Sequence, residues 1–134
     1  MNMQTLNLWA ILVAAVSAFL VGGLWYSPAL LGKLWKKANG FGPGEPAPPD
    51  AKTFVITFVL SVIMSFNLAM FLNDPKTTMA WGATAGFLAG FGWCFMGIGI
   101  VAIFERGPWS YVIVNGGYLT VALVLMGAII GAWR

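Results

Sequence analysis

GGLWYSPALLGKLWKK, residues 22–37, decides how the rest of the chain is read. An apolar run ends here on Trp25 and Tyr26, breaks at Ser27-Pro28, and resumes as a segment half apolar and half basic. Proline fixes φ, carries no amide proton and disfavours helix at the residue before it. The preceding run is therefore expected to close as a helix near Tyr26. Ser27 is expected to cap a second helix with Pro28 at its first position. Over 28–38, Leu30, Leu31, Leu34 and Trp35 fall on one side, and Lys33, Lys36 and Lys37 on the other. This is the pattern of a short helix lying in a membrane interface, its lysines against anionic headgroups.

Working outward, the 134 residues are 60% hydrophobic and only 8% charged. Soluble domains carry about 25% charged residues, so lipid is the expected solvent for most of this chain. Spans are expected at 6–26, 53–72, 79–104 and 109–133, each long enough to cross a bilayer as a helix and free of charge inside. No run alternates with period two, which argues against a barrel. The fold expected is all-α: four transmembrane helices in one antiparallel bundle, with the interfacial helix after the first span. The first run lacks a basic n-region and an A-x-A site, so it reads as a retained helix rather than a signal peptide. Between it and the second span, GFGPGEPAPPD at 40–50 holds four prolines and three glycines, a tether rather than helix or strand.

Lys33, Lys36, Lys37, Lys52 and Arg106 fall in loops one and three, against Lys76 and Arg134 on the other side. Five against two places loops one and three in the cytoplasm and both termini outside. The net charge of +3 is scattered between apolar runs, so it suits anionic lipid and not nucleic acid. Trp9, Trp81 and Trp133 fall at the outer ends of this layout, and Trp25, Tyr26, Trp35 and Trp109 at the inner ends. Amphipathic rings favour those depths, so these residues are the expected interface anchors. Trp93 alone lies deep.

Chemistry is sparse. The chain has no histidine, one cysteine (Cys94) and four carboxylates, so neither a metal site nor a cofactor is expected. The spans hold no His, Asp, Glu, Lys or Arg, which argues against proton coupling and against catalysis. Their polar groups are Ser17, Thr57, Ser61, Ser65, Asn67, Thr84, Asn115, Tyr118 and Thr120. An amide in hydrocarbon is costly unless bonded, so Asn67 and Asn115 are each expected to face another helix. Ser65, Asn67, Asn115 and Tyr118 form the candidate polar pocket. In NGGY, residues 115–118, two glycines beside an amide can expose backbone or make a helix irregularity.

Small residues recur every four positions on every span: Ala10, Ala14, Ala18 and Gly22; Thr53, Thr57, Ser61, Ser65 and Ala69; Gly82, Gly86 and Gly90; Gly127 and Gly131. Lipid offers little hydrophobic drive between helices, so close backbone approach must hold them together. The stripes do not distinguish packing within one chain from packing between chains. FLVGGLW at 19–25 also resembles FLAGFGW at 87–93, which would give Trp25 and Trp93 related packing positions.

NLWAILVAAVSAFLVGGLWYSPALLGKLW and NGGYLTVALVLMGAIIGAW resemble the bacterial small integral-membrane family catalogued as domain of unknown function seventeen sixty-one. The resemblance is strongest at Asn7, Trp25, Tyr26, Ser27, Pro28, Gly32, Lys33 and Trp35, and again at Asn115, Gly117, Tyr118, Met126 and Gly127. The proline-dense first loop departs from it. The resemblance implies a four-span protein of the bacterial inner membrane and no established activity. The residues themselves point to a non-enzymatic membrane protein that packs against itself or a larger membrane complex. The alternative is a small dimeric transporter or channel for a neutral or lipophilic solute. The expected partners are the bilayer and another copy or membrane protein.

Overall fold

Three of the long helices begin at a side chain that accepts from a first-turn amide. Asn7 Oδ1 accepts from Ala10 N at 3.2 Å to open α1 (Leu8–Trp25). Asp50 accepts from Thr53 N at 2.9 Å to open α3 (Ala51–Phe71), and Thr78 caps α4 (Met79–Ala89) through Trp81 N at 3.1 Å. Proline precedes α6 (Trp109–Ala132), and no further proline interrupts it. The short α2 covers Gly32–Ala38. α4 runs through a π-helical turn, Gly90–Phe95, into α5 (Met96–Phe104). A computed structural model of the chain describes residues 6–133; Arg134, used in the charge count above, lies outside them. The described residues are all-helical, and α1, α3, the continuous α4–α5 and α6 are each long and apolar enough to cross a membrane.

α6 is the hub, packing against every other helix. Its face toward α4–α5 is bare backbone. A Cβ on Gly82 would overlap the Gly127 carbonyl oxygen, one on Gly86 that of Leu123, and one on Gly131 that of Thr78. The glycine stripes of 79–104 and 109–133 are thus spent on each other within one chain. Contacts run in opposite order along the pair, from Thr78 with Gly131 to Gly99 with Val112.

The π turn keeps this seam in register. Gly82, Gly86 and Gly90 face α6 at steps of four; the next residues to do so are Phe95, five further on, and then Gly99. One extra residue in the turn supplies the fifth step. Phe95 lies against Gly116, where any Cβ would clash with its ring at 2.5 Å. α6 stays α-helical through NGGY, and the irregular turn lies on the helix that faces it. Trp93, at the bulge, is swung outward and is 71% exposed. Trp25 is half-buried, so the two similar tryptophan segments do not share a packing role.

On its other side α6 meets α1, and α3 packs mainly on α1. Ala10, Ala14 and Ala18 of α1, Ser61, Ser65 and Ala69 of α3, and Ala122 and Met126 of α6 are all buried. Asn7 ties the start of α1 to the end of α6 by donating from Nδ2 to the Trp133 carbonyl at 3.1 Å. Among the described residues no extensive contact joins α3 to α4. Trp9, Trp81, Trp109 and Trp133 are exposed at helix ends.

α5 ends in a 6→1 and 5→2 hydrogen-bond pair, Gly107 N to Ala102 O at 2.8 Å and Arg106 N to Ile103 O at 3.1 Å. Arg106, not Gly107, takes the left-handed position, with φ of 58°.

Gly82→Ala forces α4 and α6 apart and should lower the unfolding free energy in mixed micelles by about 1–3 kcal/mol, the usual cost of overpacking. Gly92, where a Cβ meets nothing within 4 Å, is the control. Gly92→Ala should change stability by no more than about 0.5 kcal/mol; equal losses for the two variants would show that the glycine contact does not hold the pair.

Candidate functional site

The turn after α1 is built from backbone hydrogen bonds. Ser27 does not cap α2 as expected: its Oγ turns back to the Leu24 carbonyl at 2.7 Å, which the Ser27 amide also reaches at 3.2 Å. The first residues after Pro28 consequently form a turn, and α2 starts at Gly32 with no side-chain cap. Leu31 N donates to Trp25 O at 3.0 Å and Gly32 N to Ser27 O at 2.9 Å. A Cβ on Gly32 would overlap the Tyr26 carbonyl oxygen, so only glycine permits so tight a corner.

This corner sets Trp25 and Tyr26 against α6. Trp25 Nε1 donates to the Val114 carbonyl at 2.8 Å, and its ring lies over Gly117, where a Cβ would sit 2.9 Å from Cζ2. Tyr26 OH donates to Asn115 Oδ1 at 2.7 Å. Asn115 Nδ2 donates to the Tyr111 carbonyl at 2.9 Å, which can only accept, so the orientation of the amide is fixed. Tyr118 OH donates to the Ala18 carbonyl at 3.0 Å and leans over Gly22. The rings of Phe41, Trp35, Tyr26 and Tyr118 follow one another at centroid distances of 5.3, 5.7 and 5.5 Å. Trp25, Tyr26 and Trp35, read from the sequence as interface anchors, are half-buried in protein and bind α1 and α2 to α6. Lys33, Lys36 and Lys37 are exposed beside them.

The four residues of the expected polar pocket do not meet. Asn115 and Tyr118 belong to this cluster. Ser65 is buried elsewhere, donating to the Ile11 carbonyl of α1 at 2.7 Å. Asn67 is exposed on α3 and donates to Ile63 O of its own helix at 3.1 Å, so it does not face another helix of this chain. Two residues apart on a helix, Ser65 and Asn67 point to nearly opposite faces. Ser65 pairs with the start of α1 and Asn115 with its end, about 22 Å apart at 1.5 Å per residue.

Seven of the nine polar groups in the spans bond to their own helix: Ser17, Thr57, Ser61, Asn67, Thr84, Asn115 and Thr120. Of those nine, Ser65 and Tyr118 donate across helices. Thr53, at the first turn of α3, gives its hydroxyl proton to Asp50 Oδ1 at 2.8 Å. The amide and then the hydroxyl of Thr53 hold the Asp50 carboxyl below the usual carboxylate range. Among the described residues no three metal-binding side chains gather.

The cluster brings together residues that carried the family resemblance, namely Trp25, Tyr26, Ser27, Gly32, Trp35, Asn115, Gly117 and Tyr118. The family model for Protein of unknown function (DUF1761) matches residues 9–131, nearly the whole chain. The chain belongs to this family. No curated protein and no solved structure matches it. The family's description assigns no activity, so the cluster's meaning rests on its geometry. The Tyr26–Asn115 pair was legible only as two separate signals, an interface ring and an in-span amide, 89 residues apart.

Tyr26→Phe leaves Asn115 Oδ1 without its partner and should cost about 1–3 kcal/mol of stability. In an Asn115→Leu background the same change should cost much less. Additive losses in this double-mutant cycle would rule out the coupling.

Proposed function

We infer that this is a non-enzymatic membrane protein that associates with a second copy of itself through the face between α3 and α4. The observation that carries the reading is Asn67, an exposed amide on a helix apolar enough to span. It lies one turn before Phe71, which lines an apolar groove with Leu68, Leu72, Trp81, Ala85 and Trp93. Hydrocarbon offers such an amide no partner, and a second copy presenting its own Asn67 does. The groove also stays open because α3 and α4 make no extensive contact.

A non-catalytic role is supported by the absence of histidine and by the polar groups in the spans, most of which are spent on their own helix carbonyls. The backbone contact between α4 and α6 leaves no room for a solute path there. A transporter would have to form its path between copies. The lysine-bearing turn and the Arg106 turn share one end of the helices, and the positive-inside rule puts that end in the cytoplasm of a bacterial inner membrane. α2 would then lie in that interface, with exposed Leu30 and Leu34 in lipid and its lysines at the headgroups.

Mass measurement in mild detergent should find a dimer. Asn67→Leu should raise its dissociation constant about three- to thirtyfold, as expected for an interhelical amide bond of about 0.6–2 kcal/mol. A strictly monomeric wild-type protein would sink the self-association reading. Solute uptake by liposomes holding the protein would favour transport instead.

A further inference from the structure

At one end of the α1–α3 pair small residues allow close approach, and Ser65 reaches the Ile11 carbonyl. At the other end Phe19 meets Phe54 and Phe58 edge-on, at 5.8 and 6.3 Å, and these rings hold the helices apart. Beyond the rings, Gly22 and Gly23 strip α1 of side chains, and a Cβ on Gly23 would meet nothing within 4 Å. A cleft of about 410 Å³ opens there, with Phe19, Tyr26, Phe54 and Tyr118 among the residues of its wall. Thr53 and Thr57 complete its polar lining.

The hydrogen-bond ledger of this cleft is one-sided. Tyr26 gives its proton to Asn115 Oδ1, Tyr118 to Ala18 O, Thr57 to Thr53 O and Thr53 to the Asp50 carboxylate. Carbonyls and carboxylates only accept, so the direction of each bond is fixed. A hydroxyl has one proton and two lone pairs. All four hydroxyls, on residues that line the cleft, therefore keep lone pairs to accept with and have no proton left to donate. A guest that only accepts, such as a phosphate or an ester carbonyl, finds no O–H there. A guest that donates several N–H bonds finds acceptors, and a cationic one also finds aromatic faces. Lys52 adjoins Thr53 in sequence, and Lys33, Lys36 and Lys37 are exposed on α2, which follows the Tyr26 corner; together they suit an anion outside the cleft.

The geometry points to a binding site for an amphiphile with a primary ammonium head, of the phosphatidylethanolamine class. Its N–H groups enter among the hydroxyl oxygens of Tyr26, Thr53, Thr57 and Tyr118, its phosphate stays with the lysines, and its chains follow the apolar flanks of α1 and α3. The cleft lies within one chain, at the end of α3 opposite Asn67, so the site does not depend on self-association.

Native mass spectrometry from detergent micelles tests this with lipids of identical chains: phosphatidylethanolamine, its mono- and dimethyl derivatives, phosphatidylcholine and phosphatidylglycerol. Each methyl removes an N–H and keeps the charge. Retention should fall along the series, by about tenfold from ethanolamine to choline, the usual weight of hydrogen bonds to a charged group. Thr57 is exposed, so Thr57→Val removes one acceptor without opening the core and should reduce the ethanolamine preference about threefold or more. Thr84→Val, on α4 and outside the cleft, should leave it unchanged. Equal retention of ethanolamine and choline lipids would overturn the proposal. So would equal retention of phosphatidylglycerol, which donates O–H bonds but bears no ammonium. Because the methylation series uses the unaltered protein, a poorly folded variant does not remove the test.

Discussion

The contact between Gly82 and Gly127 is what the rest of the structure depends on. Lipid tails are as apolar as leucine, so burying apolar side chains between helices gains little in a membrane. What does gain is close packing, and two glycines facing each other let two backbones touch. Glycine also meets backbone at Gly86, against the Leu123 carbonyl, and at Gly131, against that of Thr78, and these contacts fix α4 along α6. With one side of α6 taken up by backbone, its other side carries the larger residues, among them Met126 and Ile130, that receive α1 and α3. The π turn follows from the same seam. A helix of 3.6 residues per turn drifts off any strict four-residue repeat, and one extra residue after Gly90 brings Phe95 and Gly99 back to α6.

The second constraint is that hydrocarbon supplies no hydrogen bonds. Most of the hydroxyls and amides in the spans meet it locally, by donating to a carbonyl three or four residues back. Such bonds satisfy the side chain and say nothing about neighbours. The few bonds that do cross helices therefore carry the specificity. Three of them, from Trp25, Tyr26 and Tyr118, join α1 and its end to α6 near the lysine-rich turn. The conformational demands of Gly32, Gly117 and Gly22 all serve that one junction, because each makes room for a carbonyl or ring of the cluster.

The legible part of the fold was what lipid dictates directly. Span number, the close of α1 at the Ser27-Pro28 break and the glycine stripes of 79–104 and 109–133 follow from length, proline chemistry and spacing. What stayed hidden was which partner each feature takes. Ser27 could cap forward or bond backward, and the choice turns on where the Leu24 carbonyl lies, a three-dimensional fact. Trp25 reads as an interface ring by position alone; only Gly117, 92 residues later, reveals that it packs inward. Asn67 and Asn115 are the same residue type in similar runs, yet one faces out and the other is clasped by Tyr26, because helix phase decides. Trp93 was the one tryptophan without a place, and the π turn that exposes it leaves no mark in a period-based reading.

α3 stands out once these constraints are combined. α1 and α4–α5 are each held to α6 by backbone contact or crossing hydrogen bonds, and α2 is held through the Gly32 corner and the Trp35–Tyr26 ring contact. α3 has one crossing bond, Ser65 to Ile11, near the end where small residues draw it to α1. Away from that bond, phenylalanine rings prop it off α1 and hydroxyls line the gap. On its far side it leaves an amide and an apolar groove uncovered. A helix packed along one face, crossed by so few hydrogen bonds and left uncovered on two sides is the element of this fold with most to gain from something outside the chain. Whatever the protein meets in the membrane, α3 is where the physics leaves room for it.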